Sequence, residues 1–137
     1  MERAKALQSL SKWQEKDQQS CQRLLQGVRV QQDRKALKKD VLSFWNNELQ
    51  QHMDTEEKIL LPFLSQQHFN KDLINLVTRE KQTIRLLAQR LPTHDDGVYL
   101  YEIFLNLVQQ HLQFQNKVVL TKMEKEIPAP QLAQLKV

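Results

Sequence analysis

LQQHMDTEEKILLP at residues 49–62 and VQQHLQFQNKVVLT at residues 108–121 decide how this chain is read. Offset by 59 positions, the two stretches share QQH, a lysine six residues after the histidine and an apolar cluster beyond it. Both belong to longer lines of apolar residues at three- and four-residue spacing, the period of an amphipathic helix. One line runs Leu42, Trp45, Leu49, His52, Glu56, Leu60; the other runs Tyr101, Phe104, Val108, His111, Gln115, Val118. Each therefore carries an imidazole and a carboxyl or carboxamide group on its interior face. Asp33 is the expected N-cap of the first helix, over about 34–64. The second is expected to start near Asp95, Asp96 and Gly97 and to end before Pro128.

Two further helices follow from the remaining sequence. One begins before Trp13 and runs to about Gly27 along Leu10, Trp13, Ser20, Leu24 and Val28, and its interior line passes through Lys16 or Asp17. The other starts after the cap residue Asn70 and follows Val77, Lys81, Ile84, Ala88 and Leu91, with Leu87 alongside. Glu15-Lys16 and Glu80-Lys81 form a weaker repeat, so the chain reads as two helix pairs of one design. Each pair alone would expose an apolar face. Joined about an approximate twofold axis, they bury those faces together and bring His52 and His111 toward one region.

The expected architecture is an all-α, antiparallel four-helix bundle of up-down-up-down topology, in a single domain over residues 1–137. A short fifth helix in PAPQLAQL would cap one end. Composition agrees: two Gly and four Pro in 137 residues leave few special turns for a hairpin-rich sheet. Twenty Lys plus Arg against sixteen Asp plus Glu give a formal charge of +4, too small an excess to make nucleic acid or a membrane the expected partner. The first twenty residues contain charges throughout and read neither as a secretory leader nor as a membrane span. Cys21 is the one cysteine, so no intrachain disulfide forms and a reducing cytoplasm is the expected setting. Phe44, Phe63, Phe69 and Tyr99 are assigned to a satellite core or an interface, the latter allowing a homodimer. His68 and His94 fall in loops as solvated or capping residues.

His52-Met-Asp-Thr-Glu56-Glu57-Lys-Ile-Leu60-Leu61-Pro62 places an imidazole and a carboxylate on one helical face, and this motif resembles the hemerythrin-like, or HHE cation-binding, family. The resemblance covers about residues 10–135 and implies a bundle whose first and third helices each give a histidine, while the second and fourth give His-x-x-x-Glu motifs. In this sequence, Lys16 and Lys81 stand at the two single-histidine positions, Gln115 replaces the second carboxylate and Thr121 replaces the proline. The resemblance therefore implies an incomplete di-iron ligand set.

Two readings follow from those departures. The leading one is a bundle that has lost the full two-metal ligand set; a hypothesis within it has Lys16 and Lys81 supply the positive charge of the missing ions, donating to Glu56, while Gln115 and the histidines complete a polar core. The protein then works without a cofactor, as a structural, interaction or ligand-responsive module for an unidentified protein or small ligand. In the alternative, His52, Glu56 and His111 hold one Fe or Zn ion for sensing or for binding a diatomic ligand. Beside both stands a plainer account, in which the lysines extend their stems around an apolar stripe, the tryptophans fill core volume and Cys21 packs. No nucleophile, glycine-rich phosphate loop or cysteine pair with zinc-site spacing is present, which weighs against an enzyme.

Overall fold

The computed structural model describes residues 3–93 and 99–137. Four long helices account for most of them: α1 (Lys5–Arg29), α2 (34–66), α3 (Lys71–Arg90) and α4 (99–126), followed by a short α5 (Ala129–Leu132). Helix α1 packs on α2 and α4, and α3 packs on α4 and on the end of α2, which closes an all-α bundle. The expected positions of His94, Asp95, Asp96 and Gly97 lie outside the described residues.

Local chemistry sets the helix ends. The Asp33 carboxylate accepts the Ala36 N–H at 3.1 Å, and the Asn70 side chain accepts from Asp72 and Leu73. Helices α1 and α2 both finish in a left-handed residue, Gln31 (φ 57°) and His68 (φ 55°). In each case two backbone bonds close the end: Gln32 and Gln31 donate to Gly27 and Val28, while Phe69 and His68 donate to Leu64 and Ser65. His68 is thus an exposed capping residue, and the buried Phe69 that follows it seals the end of α2.

Two apolar clusters fill the bundle. One contains Cys21, Leu25, Val41, Trp45, Leu49, Ile84, Phe104 and Val108, with Trp45 set edge-on to Phe104. The other contains Leu7, Leu10, Leu60, Phe63, Phe69, Val77, Leu120 and Met123, and Ile127, Leu132 and Leu135 of the tail close over it. Burying each such side chain fully contributes about 1.5–3 kcal/mol. Phe44, Phe63 and Phe69 all belong to these cores, whereas Tyr99 is exposed.

Along α2 and α4 the helical turn widens three times into a π turn, at Trp45–Leu49, Glu56–Leu60 and Gln115–Val119. The last two are separated by the same 59 positions as the sequence repeat, so the repeat extends to the backbone. A π turn holds one extra residue and moves the next interior position by one. In the last of them Val119 is 3% exposed and Val118 40% exposed, which corrects the expected stripe ending at Val118.

Candidate functional site

Between the two apolar clusters, at midlength in the bundle, lies a layer of buried polar residues. Gln14 and Asp17 come from α1, Glu56 from α2, Lys81 from α3, and His111 and Gln115 from α4. Each occupies an interior helical position flanked by apolar residues, as Lys81 is by Val77 and Ile84. Both repeated π turns begin in this layer, at Glu56 and Gln115.

Lys81 is among the largest fully buried side chains of the described residues, 1% exposed, and its Nζ lies 3.4 Å from Oε2 of Glu56, itself 1% exposed. The two atoms form an ion pair without the alignment of a hydrogen bond. His52 and His111 are each held by a carboxylate from the preceding helix. His111 Nδ1 lies 2.7 Å from Glu80 Oε1, and His52 Nδ1 lies 2.6 Å from Asp17 Oδ2. An ionised carboxylate is acceptor-only, so Nδ1 carries the proton in each pair. The His52 ring also stacks on Trp13, with centroids 4.7 Å apart and planes at 18°. Gln14 Nε2 donates to Gln115 Oε1 at 3.5 Å, and Asn116 donates to Gln14 and Ser11, tying α1 to α4.

Burial governs the titration of these groups. It raises Asp17 above the ordinary aspartate value, with the nearby Glu48 and Glu56 charges adding to the rise and His52 opposing it. It lowers His111, where Lys81 acts in the same direction while Glu80 and Glu56 oppose. Burial also raises the Cys21 thiol far above its ordinary range, so it is a packing residue and not a nucleophile.

Lys16 stands apart from this layer. Its side chain is 68% exposed and its Nζ lies 3.8 Å from Glu48 Oε1, so it does not donate to Glu56. The interior position of α1 is Asp17, one residue on, because the buried line runs Leu10, Gln14, Asp17, Cys21. The expected equivalence of Glu15-Lys16 with Glu80-Lys81 fails for the same reason. What repeats between the helix pairs is a carboxylate on a histidine Nδ1, Asp17 to His52 and Glu80 to His111. Asp17, Glu80 and Gln14 were absent from the sequence-derived site. Their signal was present in the spacing of Gln14, Asp17 and Cys21, and in Glu80 standing beside Lys81.

The donor chemistry can be tested against a metal centre. Five buried atoms of the layer have no hydrogen-bond partner: Asp17 Oδ1, Glu56 Oε2, Lys81 Nζ, His111 Nε2 and Gln115 Nε2. Two of these are N–H donors, which offer a cation no lone pair while protonated. Among the described residues no group of three or more His, Cys, Asp or Glu side chains is placed to hold a metal ion. The residues present therefore do not fit a two-metal centre. No described helix is long and apolar enough to cross a membrane.

Comparison with known proteins gives one match. A family model described as the hemerythrin HHE cation-binding domain matches residues 9–123. No curated protein and no solved structure gives a match.

Proposed function

The chain belongs to the hemerythrin HHE cation-binding domain family, and from that premise we propose that its bundle has exchanged a metal pair for a lysine-centred polar layer and works as a cofactor-free, ligand-responsive or interaction module. The observation that carries this reading is the placement of Lys81, whose ammonium lies fully buried against the carboxylate of Glu56. A cation at that carboxylate would meet a positive charge already in place. Ion pairing with Lys81 also offsets the desolvation of Glu56, which an apolar neighbour would leave uncompensated. The layer then sets helix register, since a helix displaced along its axis would bury Lys81 or Glu56 alone.

The unpaired atoms of the layer give it a second capacity. A buried site with donors from Lys81 and Gln115, and acceptors from Glu56, His111 and Asp17, suits ordered water or one small polar molecule. Such a ligand would bind the folded chain alone and stabilise it.

One observation favours a cation instead. His111 has its Nδ1 on Glu80 and its Nε2 unpaired, the arrangement by which a carboxylate orients a metal-bound imidazole. The second reading is thus a single Fe or Zn ion on His52, Glu56 and His111, with Lys81 displaced. Thermal unfolding with added Fe(II) or Zn(II), and with chelator, separates the two. A specific site at a hundredfold excess over Kd stabilises by about 2.7 kcal/mol. The cofactor-free reading predicts the same midpoint in all three conditions. A metal-induced rise that His111→Ala abolishes would overturn it.

A further inference from the structure

Two of the three π turns belong to the polar layer, and the third, at Trp45–Leu49, does not. Its repeat counterpart, residues 104–108, is regular α-helix, so the internal repeat does not account for it. π turns recur where a helix is shaped around a site. This one keeps Trp45 and Leu49 in the core while Asn47 and Glu48 border a groove of about 540 Å³ between α1 and α2. That volume falls within the range of small-molecule sites.

The groove has a polar rim and an apolar floor of Leu24 and Phe44. Among its lining residues is Ser20, 2% exposed, whose hydroxyl accepts from Arg23 Nη2 at 3.2 Å and donates to Glu48 Oε2 at 3.5 Å. A guanidinium and a carboxylate therefore both contact one hydroxyl. Arg23 keeps most of its five N–H donors for another acceptor, and only the exposed Lys16, at 3.8 Å, approaches the other oxygen of Glu48. Asn47 is already engaged with Ser43, and Gln32 with one oxygen of Asp40; the charged groups that line the groove are Arg23, Asp40 and Glu48, and Glu48 is the carboxylate that shares the Ser20 hydroxyl with Arg23.

We propose that this groove binds a small zwitterion, an α-amino acid with an apolar side chain, whose carboxylate meets Arg23, whose ammonium meets Glu48 and whose side chain rests on Leu24 and Phe44. A planar guanidinium suits the ligand's carboxylate, and the two charged contacts fix its orientation. None of the residues that line this groove belongs to the polar layer, although the charge of Glu48 reaches Asp17 in it.

The test is a ¹H–¹⁵N NMR titration of the full chain with L-leucine, L-leucinamide (no carboxylate) and 4-methylpentanoate (no ammonium). L-leucine is expected to shift the amides of Ser20, Arg23, Asn47 and Glu48 saturably, with Kd of about 1 mM or tighter. The two truncated analogues should bind at least about tenfold more weakly. Arg23→Gln and Glu48→Gln, both at the rim and checked for folding by circular dichroism, should each weaken L-leucine by a similar factor. Absence of saturable shifts, equal binding of all three molecules, or unchanged binding by either folded variant would overturn the assignment.

Discussion

Replacing Lys81 by Met removes the buried ammonium while keeping nearly the same volume, and leaves the Glu56 carboxylate 1% exposed with no cation beside it. At 3.4 Å and an effective dielectric of about 20, the lost attraction is about 5 kcal/mol before desolvation is counted. Removing one partner of such a pair lowers stability by about 3–5 kcal/mol, because the other charge stays buried. For a domain held by about 5–15 kcal/mol, that is about a fifth of the total or more. With a urea slope of about 2 kcal/mol/M, the midpoint should fall by about 2 M at unchanged slope. Lys81→Met/Glu56→Leu removes both charges and should return to within about 1 kcal/mol of the parent, or exceed it. Urea unfolding followed by circular dichroism at equilibrium completes the double-mutant cycle. A Lys81→Met variant as stable as the parent, or losses that simply add, would refute the view that this pair is charged and mutually dependent.

Other parts of the structure are equally open to measurement. Val118→Asp should stay within about 0.5 kcal/mol of the parent, whereas Val119→Asp places a charge in the core and should lose about 3 kcal/mol or more; equal effects would contradict the π-turn register. The folded imidazole of His111 takes its proton at lower pH than the unfolded chain, which titrates near about 6.5. Stability from this group is therefore present above that value and declines as the pH falls toward the folded value. His111→Gln should flatten that part of a urea-midpoint profile against pH, and an unchanged slope would place the titrating group elsewhere. His68→Gly relieves a left-handed residue at φ 55° and should raise stability by about 1 kcal/mol in thermal unfolding.

Helix boundaries were the most legible part of the sequence, because caps and periodicity both reported them. Asp33 and Asn70 cap as their side chains allow, and the interior line of α3 through Val77, Lys81, Ile84 and Ala88 follows directly from spacing. Lys16 and Asp17 were harder to separate, since neighbours lie about 100° apart around a helix and either can border an interior stripe. Only the packing of α1 against α2 and α4 selects Asp17. Val118 and Val119 lie three and four residues after Gln115, and a 3.6-residue period allows either; Leu60, four residues after Glu56 in the equivalent π turn, is the counterpart of the buried Val119. Family resemblance placed a lysine in the third helix correctly on the interior, yet gave no signal for Glu80 as the partner of His111, because its pattern describes ligands and not the groups that orient them.

Whether Lys81 takes the place of a metal ion is decided by metal analysis of the untagged protein, purified aerobically without chelator from iron- and zinc-supplemented cells. Substoichiometric Fe and Zn are expected in the parent, with no dependence of that trace on His52 or His111. One equivalent or more of either metal per chain, lost on His52→Ala or His111→Ala, would contradict that replacement.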